Sequence, residues 1–225
     1  MDQTQLQTLI QSLPKHPGLM HKERYFNAAV LIPLVQQNQE YHFLFQKRAA
    51  KIRQGGEISF PGGEYEPGQD QNCLQAALRE TNEELGISKD RIQVQSSLDT
   101  FVSPRGITID SFLAVLDIQG LEDLSPDKNE VEELFLLPVS WFLQNQPRVY
   151  NLKLEIKPTY TDQDGNKAQL PVQELGLPEY YNRPWPGMEH RVFVYQTPKA
   201  VIWGLTAELV HYLVQRLQGR GWPEP

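Results

Sequence analysis

The chain has 225 residues, with 28 acidic and 21 basic side chains and a formal net charge of −7. This length allows one substantial hydrophobic core, so we expect a single domain over residues 1–225. The net negative charge repels polyanions, which argues against nucleic acid as the main partner. Cys73 is the only cysteine, so an intrachain disulfide is excluded, and no stretch approaches the roughly 18 apolar residues of a membrane span. We expect a cytoplasmic protein with no membrane partner.

The first predicted element is a short N-terminal helix. Its apolar side chains recur at helical spacing and stop before Pro14: Leu6, Leu9, Ile10 and Leu13. We expect residues 1–22 to form an N-terminal helical extension whose apolar side packs on the outside of the core.

Most of the following chain is predicted as strands. The β-rich runs "YFNAAVLIPLV" and "YHFLFQK" are separated by the polar "QQNQE" and predict a hairpin. Further strand candidates are "IQVQSSLDTFV", "ITIDSFLAVLD", "VEELFLL", "VYNLKLEI" and "HRVFVYQ". Residues 161–190 are rich in Pro, Gly and polar side chains, and they predict a long loop or insertion.

Two further helices are predicted, near residues 71–85 and 199–218. Asp70 is the expected N-cap of the first helix. For the second helix, Thr197 is the expected cap, Pro198 suits the first turn and Gly219 follows the last apolar position.

The helix near residues 71–85 carries a carboxylate face. At about 100° per residue, Glu80, Glu83 and Glu84 form an arc separate from the apolar stripe. Like charges three and four residues apart each cost a few tenths of a kcal/mol, and the expected cap Gly86 places them at the negative end of the helix dipole. A solvated acidic face is one interpretation. A bound Mg²⁺ or Mn²⁺ is the other, because hard divalent cations prefer several carboxylate oxygens as ligands.

The stretch before this helix favours the second interpretation. In "SFPGGEYEPGQD", Gly62 and Gly63 allow positive φ angles and let bare backbone approach a metal ion or a phosphate.

Together these residues resemble the signature of the Nudix hydrolases, G-x5-E-x7-R-E-U-x-E-E-x-G-U, where U is aliphatic. Gly63 fits the leading glycine, and the second half fits at Arg79, Glu80, Thr81, Glu83, Glu84, Gly86 and Ile87. Gln71 stands where the signature has glutamate, and the loop after Gly63 is longer than the pattern. A glutamine at position 71 could still accept a hydrogen bond from the Arg79 guanidinium.

The resemblance implies the fold and a set of roles. It implies an α+β fold, the Nudix α/β/α sandwich with a mixed sheet between helices. Glu83 and Glu84 would bind the metal, as would the Gly63 carbonyl, and Glu80 would be a ligand or the general base. Arg79 would orient the carboxylates. In "DKNEVEELFLLP", Glu130 or Glu133 is a further candidate ligand, although a solvated charge run explains this stretch equally well.

The stretch "LFQKRAAKIRQGGEISFPGG" is similar to the extra motif of the coenzyme A branch of that family. Gln46 is not the usual residue there, and one residue is missing between Arg53 and Gly56. Arg48 and Arg53 are candidate substrate-binding residues, because guanidinium groups bind phosphates in a bidentate manner. Tyr181 and Trp185 are candidates to cover or stack on the substrate, or else they anchor their loop on the core.

Three functions remain open from the sequence. The first is a metal-dependent pyrophosphatase that cleaves coenzyme A or acyl-coenzyme A to 3′,5′-ADP and 4′-phosphopantetheine or its acyl form. The second is hydrolysis of ADP-ribose, a dinucleotide or another nucleoside diphosphate derivative. The third is a non-catalytic, nucleotide-binding Nudix-like domain. In each case the partner is a small nucleotide, and a homodimer is one expected form.

Overall fold

The computed structural model, which describes residues 1–16 and 18–220, shows a mixed sheet of eight strands between helices. The strands of this sheet are β1 (Phe26–Gln37), β2 (Glu40–Arg48), β3 (Ile58–Ser59), β4 (Gly62–Glu64), β5 (Ile92–Ser97), β6 (Phe101–Ser103), β7 (Ile107–Leu116) and β8 (Val131–Pro138). The remaining strands are β9 (Arg148–Ile156), β10 (Thr159–Thr161), β11 (Lys167–Gln169), β12 (Trp185–Gln196) and β13 (Val201–Trp203). The helices are α1 (Gln3–Ser12), α2 (Cys73–Leu85), α3 (Val139–Gln144) and α4 (Gly204–Leu217).

Strand β1 is the centre of the sheet. It pairs in parallel with β7 and antiparallel with β2 and β4. The predicted hairpin is confirmed: Asn38 and Gln39 both have positive φ angles, and Gln37 pairs with Glu40 across the turn. Such a two-residue turn matches the twist of the flanking strands. On the other edge of β2 lies β8.

The two faces of the sheet bury separate halves of the core. Phe43 and Phe45 of β2 pack with α3 and α4, whereas Leu44 packs with α2. Successive side chains of a strand point to opposite faces, so this alternation explains both clusters. The expected fold class is confirmed, because the mixed sheet has helices on both faces. Lys47 and Arg48, at the end of β2, continue the alternation and lead to opposite faces.

Helix α2 begins later than expected. Its N-cap is Asn72, whose side chain accepts a hydrogen bond from the Gln75 backbone at 3.0 Å. The prediction of Asp70 as the cap was wrong, because Asp70 instead accepts hydrogen bonds from Arg79. The C-cap Gly86 is confirmed, with φ 66° and ψ 25°.

Helix α4 also begins later than expected. Residues Val201–Trp203 form β13, which pairs antiparallel with the end of β12. The hydroxyl of Thr197 accepts hydrogen bonds from the backbone N–H groups of Lys199 and Ala200, so it caps the turn between the two strands. The helix itself starts at Gly204, and the prediction of a start near 199 was wrong because strand pairing takes precedence over the helical pattern there.

Helix α1 forms as predicted but lies free of the core. Asp2 and Gln5 make a capping box, in which each side chain accepts a hydrogen bond from the backbone of the other. The four apolar side chains of the predicted stripe are between 41% and 59% exposed. The expected packing of this helix on the core is therefore wrong.

Residues 148–190, which we call the arm, comprise β9, β10, β11 and the first part of β12. Strands β9, β12 and β13 form a small sheet of their own. Within residues 1–16 and 18–220, strand β9 is an edge strand whose one partner is β12, and all of its residues except Leu154 are exposed. The segment 161–190 contains β11, a 3₁₀ turn at Glu179–Asn182 and the first part of β12. None of the helices in the described ranges is long and apolar enough to cross a membrane.

Candidate active site

The Gly62–Gly63 turn and α2 meet through two carboxylates. The Gly62 backbone donates a hydrogen bond to Glu84 Oε2 at 2.9 Å. Gly62 has a φ of 151°, and a Cβ there would lie 2.3 Å from the carbonyl oxygen of Ala29. A Cβ on Gly63 would lie 2.4 Å from the carboxylate of Glu80. Only glycine at both positions lets the turn contact the two carboxylates this closely.

Glu84 lies inside the protein. Its side chain is 2% exposed, and burial raises the pKa of its carboxyl to about 7. The hydrogen bond from Gly62 and the charge of Arg48, whose Nη1 is 3.6 Å from Glu84 Oε1, act in the opposite direction. One of the three glutamates of the helix therefore faces the core, so the three do not form a fully solvated acidic arc. A buried carboxylate whose pKa stays raised despite the ion pair with Arg48 is a site where a further positive charge is stabilised.

Arg79 holds the other carboxylates in place. Its Nη1 donates hydrogen bonds to Glu80 at 2.8 Å and to Glu83 at 3.1 Å. Its Nε and Nη2 each donate to one oxygen of Asp70 at 3.0 Å. These hydrogen bonds hold the pKa of Asp70 below its usual range. The role assigned to Arg79, orienting the carboxylates, is supported by these contacts.

Asp70 is a site residue that the sequence analysis assigned to another role. Asp70, and not Gln71, accepts the hydrogen bonds of the Arg79 guanidinium, the contact expected at the position where the signature has glutamate. Because the loop after Gly63 is longer than the pattern, the acidic residue reaches Arg79 from one position earlier. An acidic residue beside a mismatched position was the signal that could have identified it.

Gln46 is a second residue that the sequence analysis did not assign to the site. It is fully buried, and its amide lies close enough to lower the pKa of Glu84. Neither amide atom makes a hydrogen bond of ordinary geometry in the described part of the chain. Buried polar atoms are nearly always paired, so an unpaired amide beside a buried carboxylate marks a place where a polar ligand is favoured.

The residues of this cluster fit a divalent cation by their chemistry. Glu80, Glu83 and Glu84 supply carboxylate oxygens, and the Gly63 backbone adjoins Glu80. Burial raises the pKa of Glu80, and the negative charges of Glu83 and Glu130 add to this rise. Among residues 1–16 and 18–220, no group of three acidic, His or Cys side chains already stands in a geometry that would hold a metal. In this structure the guanidinium of Arg79 binds the carboxylates of Glu80 and Glu83, where a cation would otherwise lie.

The two further candidate ligands lie in different places. Glu130 follows the loop that hydrogen-bonds to the end of β2, and its charge acts on Glu80. Glu133 is the strand partner of Lys47 and alternates with Leu134 and Phe135, which places it on the opposite face from Glu84. The structure therefore brings Glu130, and not Glu133, to the carboxylate cluster.

The predicted substrate-binding residues are not gathered at one point. Arg48 lies at Glu84, and its Nε donates to the backbone oxygen of Arg53 at 3.2 Å. The guanidinium of Arg53 instead lies 5.8 Å from the ring centre of Phe26. Tyr181 and Trp185 pack edge to face at 5.2 Å within the arm. Of the four, Arg48 alone contacts a carboxylate of the cluster in the described structure.

A carboxylate cluster beside a Gly-Gly turn, on one face of an α/β/α sandwich, is an arrangement that suits metal-assisted hydrolysis of phosphoanhydride bonds. The chain belongs to the Nudix hydrolase family: the profile described as NUDIX domain matches residues 25–160. It is therefore a Nudix pyrophosphohydrolase.

Two relatives and one solved structure illustrate the likeness. The human mitochondrial coenzyme A diphosphatase NUDT8 is 31% identical over 198 residues, which cover 87% of this chain and 71% of that protein. The uncharacterized Nudix hydrolase NudL of Photorhabdus laumondii is 28% identical and covers 85% of each chain. The crystal structure of the M. Smegmatis Nudix hydrolase RenU has a TM-score of 0.43 at 20% identity, over 54% of this chain and 74% of that one.

Proposed function

We propose that this enzyme cleaves the pyrophosphate of coenzyme A or acyl-coenzyme A, giving 3′,5′-ADP and 4′-phosphopantetheine or its acyl form. The observation that carries the proposal is the contact of Arg48 with Glu84, since it sets a phosphate-binding guanidinium against the carboxylate cluster. The identity to coenzyme A diphosphatases over most of the chain supports the same substrate.

The carboxylate cluster would hold Mg²⁺ or Mn²⁺, as Nudix hydrolases generally need a divalent metal. We propose Glu80, Glu83, Glu84 and the Gly63 carbonyl as ligands, with Glu130 as a further one. Glu133 is not included, because it lies on the other face of the sheet. A divalent cation supplies charge neutralisation on the phosphates and activation of a water at neutral pH. The choice between the two metals follows from activity measured with each.

The protein groups act through position and charge. Arg79 fixes Glu80 and Glu83 from one side, and the Gly62 N–H fixes Glu84 from the other. Glu80 is partly exposed, with its pKa raised by burial, so it is suited either to bind the metal or to accept the proton of the attacking water. Arg48 stabilises negative charge on a phosphate that reaches Glu84.

Two alternatives are kept because the motif before the Gly-Gly turn is imperfect. Gln46 and the missing residue near Arg53 leave ADP-ribose, a dinucleotide or another nucleoside diphosphate derivative as a substrate. The guanidinium of Arg53 lies over Phe26 and not beside Arg48. One of the two expected phosphate-binding groups is therefore absent from the cluster, which favours this alternative. The buried carboxylate of Glu84 beside Glu80 and Glu83 argues against a non-catalytic binding domain, because such a set suits a metal ion.

The deciding experiment is a panel of nucleotides incubated with the wild type and with Arg48→Ala, in Mg²⁺ or Mn²⁺, with products identified by mass. Coenzyme A turned over fastest, with 3′,5′-ADP released, is the expected result. Arg48→Ala should raise KM for coenzyme A and for dephospho-coenzyme A alike, because Arg48 lies at the carboxylates where the pyrophosphate would be held. A smaller rise for dephospho-coenzyme A would move Arg48 to the 3′-phosphate. Faster turnover of ADP-ribose or a dinucleotide would replace the proposed substrate.

The assembly is also a proposal: we infer a homodimer formed by β9. Antiparallel pairing of two β9 strands about Leu152 would place Lys153 opposite Asn151 and Glu155 opposite Val149, so no like charges face each other. The free edge of β9 and its half-exposed apolar side chains support this pairing. Light scattering should give twice the chain mass.

The location in the cell is a further proposal. We propose the cytoplasm, and the support for it is that Cys73 is the only cysteine of the chain. Fractionation of the source cells, with the protein found in the soluble fraction, is the expected result.

A further inference from the structure

A cavity of about 510 Å³ lies beside the carboxylate cluster but on the opposite face of the sheet. Its lining includes Lys47 and Glu133 from the ends of β2 and β8, and Lys199 and Trp203 from the turn before β13 and from β13 itself. Lys47 and Arg48 are adjacent in the chain, and Arg48 reaches Glu84. The cavity and the carboxylate cluster therefore lie on opposite faces of the sheet, at the same end of β2.

The loop between β2 and β3 folds back on the end of β2 and lines the cavity through Gly55, Gly56 and Glu57. The backbone N–H of Gly56 donates to the Arg48 carbonyl at 2.9 Å, and the N–H of Arg48 donates to the Glu57 carbonyl at 3.0 Å. A Cβ on Gly55 would lie 2.5 Å from the carbonyl oxygen of Ala50, so the loop folds tightly on itself. The residue whose guanidinium lies at Glu84 is therefore hydrogen-bonded through its backbone to the loop that lines the cavity.

The lining of the cavity combines an aromatic wall with charges of both signs. Trp203 is 48% exposed although it is a large apolar side chain, whereas Ile58 and Phe135, which also line the cavity, are buried. Lys47 donates to Glu132 at 2.6 Å and is thereby engaged. Lys199 makes no ion pair with any residue that the structure describes. Glu57 and Glu133 add two carboxylates.

We propose that this cavity binds the purine end of the nucleotide substrate. The purine ring stacks on Trp203, and a phosphate on the ribose binds Lys199. Glu133 or Glu57 accepts hydrogen bonds from the exocyclic amino group of adenine, which is a donor and needs such an acceptor. A site for phosphate alone would have no use for two carboxylates, and a site for an apolar chain would have no use for Lys199.

This inference rests on the proposed function, because coenzyme A carries both an adenine and a 3′-phosphate at the end away from the pantetheine arm. The cavity volume is within the range of about 300–1,000 Å³ that is usual for small-molecule sites. The purine end would thus lie on one face of the sheet while the pyrophosphate lies at the carboxylates on the other.

The test compares binding of 3′,5′-ADP and 5′-AMP by isothermal titration calorimetry, with the full-length chain and its variants. Lys199→Gln should weaken binding of 3′,5′-ADP about tenfold and leave 5′-AMP nearly unchanged, since a charge-assisted hydrogen bond to the 3′-phosphate is lost. Trp203→Leu should weaken both ligands to a similar degree, because every purine presents a ring face. The unfolding temperature of each variant shows whether it is folded.

Matched controls come from the arm. Lys167→Gln on β11 and Tyr160→Leu on β10 change an exposed lysine and an exposed aromatic side chain far along the chain from the cavity. Both should bind 3′,5′-ADP like the wild type. Equal losses in the controls, or unchanged binding in both cavity variants, would overturn the cavity assignment.

Turnover of coenzyme A by the wild type separates the two proposals. If coenzyme A is cleaved but Lys199→Gln and Trp203→Leu bind 3′,5′-ADP normally, the enzyme function stands and the cavity assignment falls. If coenzyme A is not cleaved while ADP-ribose is, and Trp203→Leu still weakens 5′-AMP, the cavity remains a purine site and the substrate proposal falls.

Discussion

The region around α2 and the arm differ in what their side chains do. At α2, charged groups are taken out of water and held by named contacts, as with Glu84 and Gly62. In the arm, apolar groups such as Leu152 and Tyr150 remain half exposed on a strand with one neighbour. Burying a carboxylate opposes folding, whereas leaving an apolar side chain in water merely forgoes stabilisation. The buried charges at α2 therefore indicate a functional site, and the exposed apolar side chains of the arm indicate an interaction surface.

The largest effect on turnover is expected for the glutamates of α2. Glu84→Gln should lower turnover at saturating Mg²⁺ by at least about a hundredfold, because it removes a charge that a divalent metal requires. The same change should raise the unfolding temperature of the metal-free protein, since it removes a buried carboxylate. Glu83→Gln should also lower turnover.

The matched control for Glu84→Gln is Glu155→Gln on β9, where the glutamate is exposed. Its turnover and unfolding temperature should equal those of the wild type. Near-normal turnover of Glu84→Gln would refute the metal-site assignment.

A second prediction uses the contact between Gly63 and Glu80. In Gly63→Ala the new Cβ would lie 2.4 Å from the Glu80 carboxylate, which must turn away. Turnover should fall about tenfold or more, while stability changes little because a flexible side chain yields. Steady-state kinetics and thermal unfolding measure the two quantities.

Gly187→Ala in the arm is the counterpart to this change, because its Cβ would lie 3.3 Å from Leu154. It should leave turnover unchanged. If Gly63→Ala were as harmless as Gly187→Ala, the close approach of the turn to Glu80 would have no role in catalysis.

A smaller effect is expected at the residue that anchors Arg79. Asp70→Asn should lower the free energy of unfolding by about 1–2 kcal/mol at pH 7, because a nearly buried ion pair is broken. The pKa of Asp70 is lowered in the folded protein, so its contribution is full above the pKa of unfolded aspartate and is lost as pH falls through the folded pKa. Urea unfolding should show the two proteins converging at acid pH.

Asp164→Asn, on the exposed turn between β10 and β11, controls for the loss of a surface charge. It should change the free energy of unfolding by less than about 0.5 kcal/mol. A constant difference between Asp70→Asn and wild type at every pH would contradict the ionic role of Asp70.

The smallest effect on turnover is expected in the arm itself. Leu152→Asp would place two carboxylates next to each other at the centre of the inferred β9 pair, so light scattering should show monomers. Turnover per chain should stay within about twofold of the wild type. Lys153→Gln, one position along, should remain dimeric, and a dimer in both variants would move the interface away from β9.

How far the sequence predicts each region follows from the range of the interactions involved. The spacing from Arg79 to Gly86 predicts the acidic helix and its C-cap, because both depend on neighbours within one or two turns. The sequence predicts an N-cap at Asp70, but Asn72 is an equally good capping residue, and only the distant Arg79 decides between them by binding Asp70. Burial of Glu84 was not predictable, since a helical projection puts it beside Glu80 and Glu83 on the acidic arc.

The start of α4 and the fate of α1 show the same limit. The run "VIWGLTAELV" is apolar throughout, so its pattern does not separate β13 from the helix, and the pairing of Val201–Trp203 with β12 decides. In α1 the apolar stripe predicts a helix but contains no information about a partner. A periodic pattern identifies the buried side of an element, and tertiary contacts determine whether anything covers it.

Hydrolysis of coenzyme A in ¹⁸O-water with Mg²⁺ tests the central claim most directly, because it reports the bond that breaks. Attack of one water at one phosphorus should give 3′,5′-ADP and 4′-phosphopantetheine, with a single ¹⁸O in only one of them. Mass spectrometry of the two products measures this. Label in both fragments, or inorganic phosphate as the first product, would contradict a coenzyme A pyrophosphatase built on Glu80, Glu83 and Glu84.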